Sequence, residues 1–169
     1  LRRAITSSIT SRPLDVAIIG LGTSGIASAI FLARQGHRVK IYESTEYEKL
    51  SSPVGAGLGL QPIGLTVLRR ISDRALHDVL YHGARIDHLY SITEKNRPVL
   101  DLRYADFHKD LYGVGIHRDV LFKVLYRELQ DLHNVEICFG SKAVNVSRQK
   151  IEFQHGISYE NCIYIDLGL

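Results

Sequence analysis

Leu14-Asp-Val-Ala-Ile-Ile-Gly-Leu-Gly-Thr-Ser-Gly25 decides the fold of this chain. Val16, Ala17, Ile18 and Ile19 form a continuous apolar run, the pattern of a strand buried on both faces. Gly20, Gly22 and Gly25 then spell G-x-G-x-x-G where that run stops. Residues 24–34 turn helical, with Ile26, Ala27, Ala29, Ile30, Phe31, Leu32 and Ala33 supplying apolar faces. Gly36 ends the helix, and residues 38–42 read as a second strand that finishes at Glu43.

The order strand, glycine turn, helix, strand, acid has a physical use. Gly20 permits a tight turn, Gly22 lets the backbone approach a pyrophosphate, and Gly25 lets the helix pack closely on the strand. The helix start offers unpaired N–H groups and a positive dipole end to phosphates. Leu21, Thr23 and Ser24, lying between the glycines, join them as candidate cofactor contacts. Glu43 follows Gly25 by 18 residues, close to the roughly 20-residue spacing of an acid that accepts ribose hydroxyls. Its charge would repel a 2′-phosphate, so the pattern favours FAD or NAD over NADP.

Composition narrows the class. A chain of 169 residues, 45% hydrophobic and 23% charged, has the make-up of one soluble globular domain. The net charge of +3 is small and its cations are scattered, which gives no reason to propose nucleic acid. No apolar run approaches a membrane span. Cys138 and Cys162 both fall in apolar, strand-like segments and read as buried thiols, not as a disulfide or metal site. The eight histidines show no ligand spacing. The chain opens on Leu and contains no Met, so it reads as a fragment or a processed chain. Residues 1–13, with Arg2, Arg3 and Arg12 and no acid, read as a disordered or targeting tail. Location is expected to be cytoplasmic, with mitochondrial targeting as the alternative.

After the second strand, residues 44–52 read as a surface loop or short helix. Pro53-Val-Gly-Ala-Gly-Leu-Gly-Leu-Gln-Pro62 places three glycines at alternate positions. It is either a strand that something lies against or a bulged edge strand with no ligand. Pro62 opens a helix, and Asp73 is expected to cap a further one that Gly83 closes. Residues 86–93 and 97–103 read as strands joined by a hairpin turn at 94–96, and residues 106–112 as loop. Gly113-Val-Gly-Ile-His-Arg118 leads into an amphipathic helix whose Val120, Leu121, Val124, Leu125, Leu129 and Leu132 share a face. Arg118 in its first turn is badly placed for the helix dipole. It is expected to pair with an anion, either a carboxylate of the fold or a cofactor phosphate. Residues 135–139 read as a third parallel strand. Residues 142–148, 150–154 and 158–165 read as a small antiparallel meander whose last part returns to the main sheet.

Three stretches together resemble the FAD-dependent aromatic-ring monooxygenases of the para-hydroxybenzoate hydroxylase type. They are residues 15–25 with Glu43, Gly55-Ala-Gly-Leu-Gly-Leu-Gln-Pro62 with Leu65 and Leu68, and Gly115-Ile-His-Arg-Asp-Val-Leu121. Gly83-Ala-Arg85 and Arg103-Tyr-Ala-Asp106 are similar to family stretches as well. The resemblance implies an α/β fold: a Rossmann-like parallel sheet with a βαβ dinucleotide unit, plus a small antiparallel β-meander. Residues 14–169 would then be a partial FAD-binding domain. The glycine loop would hold the FAD pyrophosphate and Glu43 the adenosine ribose. The strand carrying Gly57 and Gln61 would pass near the flavin, Arg118 would reach FAD, and the backbone of Val144 would meet adenine. Ser44 stands where family members often carry a basic residue after the ribose acid, and Ile63 where Asn commonly follows Gln-Pro.

Family chains continue into a Gly-Ala-Asp-Gly strand and a later Gly-Asp motif. This chain reads Asp166-Leu-Gly-Leu169 at the first of these places and carries neither. The implied function is the N-terminal FAD-binding part of an enzyme that hydroxylates a small aromatic or related substrate using NAD(P)H and O2. As given, the chain is expected to be inactive. Its partners would be FAD and, in the whole parent, NAD(P)H and the aromatic substrate, with self-association through exposed sheet. Two alternatives stand beside this: a fragment of an NAD-binding Rossmann dehydrogenase or reductase, and a non-catalytic remnant.

Overall fold

The computed structural model describes residues 12–53, 55–147, 150–154, 156, 158–160 and 163–166. The tail reading of residues 1–13, up to residue 11, and the buried-thiol reading of Cys162 lie outside the described residues.

The chain begins with β1 (Asp15–Ile19), α1 (Thr23–Arg34) and β2 (Arg38–Tyr42). The two strands pair in parallel, with Val16 opposite Val39 and Ile18 opposite Ile41. This is the βαβ unit that the apolar run and glycine turn imply. Gly36 at φ +88° releases the chain from α1. Asn134 closes the same helix end from a distance, its Nδ2 donating to the carbonyls of Ala33 (2.9 Å) and His37 (2.6 Å).

Next come α2 (Tyr47–Leu50), β3 (Gly57–Leu60), α3 (Pro62–Ile71) and α4 (Asp73–His82). Pro62 stands in the first turn of α3, where its missing N–H costs nothing. The cap of α4 is Ser72, not Asp73. Ser72 is extended (φ −168°, ψ 154°), and its hydroxyl accepts the Ala75 N–H at 2.9 Å. Asp73 falls one residue inside, where its charge suits the helix dipole instead.

Then follow β4 (Ala84–Ile86), β5 (His88–Ile92), β6 (Pro98–Arg103), a single 3-10 turn at Tyr104–Asp106, and β7 (Gly113–His117). The segment 86–93, expected as one strand, divides at Asp87. On one side β4 pairs with β7, and on the other β5 pairs with β6 as a hairpin. The hairpin turn lies where expected, with the Thr93 N–H donating to Arg97 O at 2.8 Å and Asn96 at φ 56°. The 3-10 turn lies between the expected strand and the expected loop and shares only Asp106 with the loop. β7, which was not anticipated as a strand, runs antiparallel between β3 and β4. The glycine-rich β3 is an edge strand with an unbroken register, Gly57 opposite His117 through Leu60 opposite Val114, and so has no bulge.

The chain continues with α5 (Arg118–Gln130), β8 (Val135–Cys138), β9 (Ala143–Ser147), β10 (Lys150–Phe153), β11 (Ser158–Glu160) and β12 (Ile163–Asp166). The main sheet is parallel, in the order β12-β1-β2-β8, and β9, β10 and β11 form the antiparallel meander. The third parallel strand and the return of the last segment to the main sheet are both present.

The core follows from the strands being apolar on both faces. On one side Ile18, Ile26, Ile30, Ile41, Val79 and Leu129 are buried in a single cluster joining the sheet to α1, α4 and α5. Each fully buried side chain of this kind contributes about 1.5–3 kcal/mol. On the other side Ala17 and Tyr42 meet Ile151 and Phe153 of the meander, with the Tyr42 and Phe153 rings 4.5 Å apart. Arg74 of α4 bonds Glu128 (2.7 Å) and Asp131 (2.6 Å), and Arg127 of α5 pairs with Asp78. These pairs clamp α4 to α5 across the surface of the core. No helix among the described residues is long and apolar enough to cross a membrane.

Candidate cofactor site

The site grows from the end of β1. Gly20 turns the chain at φ +97°, a conformation that L side chains rarely adopt. Its N–H donates to Tyr42 O at 2.8 Å, which ties the turn to the end of β2. Gly25 lies against this turn so closely that a Cβ there would stand 2.1 Å from Gly20 O. Gly22 is the opposite case: a Cβ on it would meet nothing within 4 Å. Close packing therefore requires glycine at 25, whereas at 22 the protein leaves open space.

Gly22 also caps α1 without a side-chain hydrogen bond, and no acid stands in the first turn. Among the described residues, no side chain partners the N-terminal N–H groups and positive dipole end of α1. Beside them Glu43 is buried, 7% exposed. Its Oε2 accepts the Leu21 N–H at 2.7 Å, and its Oε1 accepts the Thr45 N–H (2.8 Å) and the Ser44 hydroxyl (3.1 Å). The acid that spacing assigns to a ribose therefore holds the glycine loop as well.

These groups open onto a cavity of about 610 Å³, within the roughly 300–1,000 Å³ range of small-molecule sites. Of the sequence-derived candidates, Gly20, Leu21, Gly22, Thr23, Ser24, Glu43, Ser44 and Arg118 line it. Gly25, Gly57, Gln61 and Val144 do not. Gly25 is buried beneath the turn. Gly57 is next to the lining residue Leu58, and Val144 is next to the lining residue Ala143 while its own side chain is exposed. Gln61 caps α3, and its Oε1 accepts a 2.6 Å hydrogen bond from the buried Tyr104 hydroxyl.

Arg118 is the first residue of α5, brought to the cavity by β7. The nearest carboxylate in sequence, Asp119, pairs with Lys123 at 3.3 Å. Among the described residues Arg118 forms no ion pair, so the carboxylate alternative finds no partner there.

The wall also takes in Ile19 and Tyr42 at the ends of β1 and β2, and sequence reasoning did not single out Thr45, Leu50, Leu58, Phe122, Ser141, Lys142 and Ala143 as site residues. Phe122 belongs to an aromatic cluster with Tyr47 and Tyr126, in which the Tyr47 and Tyr126 rings are 5.0 Å apart. Burial pushes the Tyr126 phenol above its usual range, which keeps it neutral. Ser141 and Lys142 reach the site because β8 pairs beside β2. The Glu43 N–H donates to Cys138 O (2.9 Å), and the Ser141 N–H donates to Glu43 O (2.7 Å). Their only sequence signal was position just after the third strand. Among the described residues no group of three or more His, Cys, Asp or Glu is arranged to hold a metal.

No family model matches the chain. Among curated proteins it is 46% identical to an FAD-dependent monooxygenase of Arthrinium sp over 83% of its length, covering 32% of that protein. It is 30% identical to 6-hydroxynicotinate 3-monooxygenase of Pseudomonas fluorescens over 69% of its length, covering 30% of that protein. Kynurenine 3-monooxygenase of Anopheles gambiae is 29% identical over 86% of this chain and is covered over 30% of its own length. The chain thus spans about a third of these relatives. Among solved structures, 2-methyl-3-hydroxypyridine-5-carboxylic acid oxygenase superposes with a TM-score of 0.70 at 24% identity, over 89% of this chain and 38% of that one. The p-nitrophenol 4-monooxygenase of Pseudomonas putida also gives 0.70, at 18% identity, over 91% and 40%. The fold is therefore that of the matching part of these oxygenases, and over most of its own length the chain is homologous to FAD-dependent monooxygenases.

Proposed function

We propose that residues 14–169 form part of an FAD-binding domain that holds the adenosine and pyrophosphate end of the cofactor. One observation carries the reading. The start of α1, which has no side-chain cap, the buried Glu43, and Arg118, which forms no ion pair among the described residues, converge on one cavity. Those groups fit the ligand: N–H donors and a cation for the diphosphate, a carboxylate for a ribose hydroxyl, and Leu50, Leu58 and Phe122 for apolar surface. The open space over Gly22 is where a phosphate can approach the backbone. Gly57, Gln61 and the Val144 backbone are proposed to touch more distant parts of the same cofactor.

In a whole enzyme, bound flavin supplies oxygen activation and hydroxyl transfer to a small aromatic substrate, with NAD(P)H as electron donor. The described residues contribute binding and orientation to that reaction, and none of them is assigned the role of catalytic base. The chain alone is proposed to be inactive, and its exposed sheet to favour self-association. The NAD-linked dehydrogenase alternative leaves β3 and Arg118 without a purpose. Titration of the chain with FAD, ADP and NAD tests the proposal. FAD and ADP are expected to compete for one site, and preferential binding of NAD would overturn it.

A further inference from the structure

We propose that Glu43 is a positioning residue for the glycine loop, holding it in its phosphate-receiving shape before any ribose arrives. The inference rests on the reading of that loop as a phosphate site. Consecutive loop N–H groups are tied to consecutive residues at the end of β2: Gly20 N–H to Tyr42 O at 2.8 Å, and Leu21 N–H to Glu43 Oε2 at 2.7 Å. The first tie is main chain to main chain. The second passes through a side chain and stands or falls with it.

Glu43 is built to bear this load. Its N–H and carbonyl are held by Cys138 O and Ser141 N–H, so the end of β8 fixes its backbone. Its Oε1 is held by Thr45 N–H and Ser44 Oγ, which leaves Oε2 aimed at the loop. Leu21 is fully buried, so its N–H would lack an acceptor if the carboxylate were absent. The loop has glycine on both sides of Leu21, and so has little of its own stiffness with which to resist rearrangement. A carboxylate offers about four acceptor positions, and three are engaged here. One position remains for a sugar hydroxyl, so holding the loop and reading the ribose are separable tasks.

The test uses inorganic pyrophosphate, which has no sugar, with the variants Glu43→Gln and Glu43→Met. Both are neutral and of similar length, but only Gln can present an oxygen to the Leu21 N–H, its NH2 then turned to the Ser44 hydroxyl and the Thr45 N–H left without that acceptor. The Leu21 amide is expected to exchange slowly in the unaltered chain and in E43Q, and at least tenfold faster in E43M, with Ile18 and Ile41 amides unchanged. Pyrophosphate is expected to bind E43Q at least as tightly as the unaltered chain, and E43M roughly tenfold more weakly than E43Q. Equal affinity of E43Q and E43M for pyrophosphate overturns the inference alone, because a residue that only reads ribose or contributes charge predicts that equality. Loss of amide protection throughout β1 and β2 in both variants also overturns it, by assigning Glu43 to fold stability. Failure of the unaltered chain to bind pyrophosphate or ADP overturns the phosphate-site reading and this inference together.

Discussion

Gly22 and Gly25 are three residues apart in one motif, yet the structure predicts opposite consequences for the same substitution. In Gly25→Ala the new Cβ would stand 2.1 Å from Gly20 O and 3.1 Å from Gly20 C. The obstacle is backbone, and Gly20 and Leu21 are both hydrogen-bonded to the end of β2. Relief needs a shift of roughly 1 Å, which places the change at the upper end of the ~1–3 kcal/mol range of overpacking. Ala in a helix returns about 1 kcal/mol relative to Gly. A net loss of about 2 kcal/mol lowers the melting temperature by about 4–8 °C for a chain of this size. In Gly22→Ala the Cβ meets nothing within 4 Å, and φ is −72°, ordinary for any residue. Stability is expected to hold or rise by about 0.5 kcal/mol, while ADP affinity falls by roughly tenfold because the methyl group enters the phosphate's space. Thermal melts and ADP titrations of both variants form a crossed test. An unchanged melt for G25A refutes the packing argument, and unchanged ADP binding by G22A refutes the cradle.

Arg118→Met is expected to weaken ADP binding by roughly tenfold or more and to flatten its salt dependence. Its melting temperature should stay within a degree or two, since no ion pair among the described residues is lost; a large fall in melting temperature would expose an unseen partner. Asn134→Ala removes two hydrogen bonds at the end of α1 and is expected to cost about 1–3 kcal/mol in chemical denaturation; no change would show that the carbonyls are satisfied without it. The Arg127 guanidinium beside Asp78 holds that carboxyl below the usual range. A folded-state value below the unfolded one makes the contribution fully present above about pH 4 and lost as pH falls through the lowered folded value. Denaturation from pH 6 to pH 2 should show this acid-side loss shrinking in Asp78→Asn, and equal slopes for both chains would refute it.

The βαβ unit was legible because each of its signals is local: an apolar run, three glycines, a helical period and an acid at fixed spacing. The parallel β8 and the returning β12 were legible from pattern as well. What escaped depends on partners distant in the chain. β7 is a run of Gly and apolar residues that becomes a strand only between β3 and β4. Asp87 breaks a segment that reads as continuous, because β4 and β5 join different sheets. Ser72 and Asp73 are both cap residues by type, and only backbone angles separate them. At the site, the motif residues were named from spacing, but Lys142 and Phe122 arrive through strand order and helix docking. That Glu43 already spends acceptors on the protein has no sequence signature.

The pairing of β12 with β1 has a consequence for how the molecule comes to be folded. Val16 stands opposite Ile163 and Ile19 opposite Asp166, so the central strand waits for a neighbour almost the whole chain away. Such a long closure is slow compared with the local βαβ contacts that precede it. During synthesis, one edge of the most apolar strand stays open until residues 163–166 emerge from the ribosome. In that interval its unpaired N–H and C=O groups are a template for any other extended chain. The same strand that launches the glycine loop is therefore the point at which a nascent chain is most exposed to misassembly.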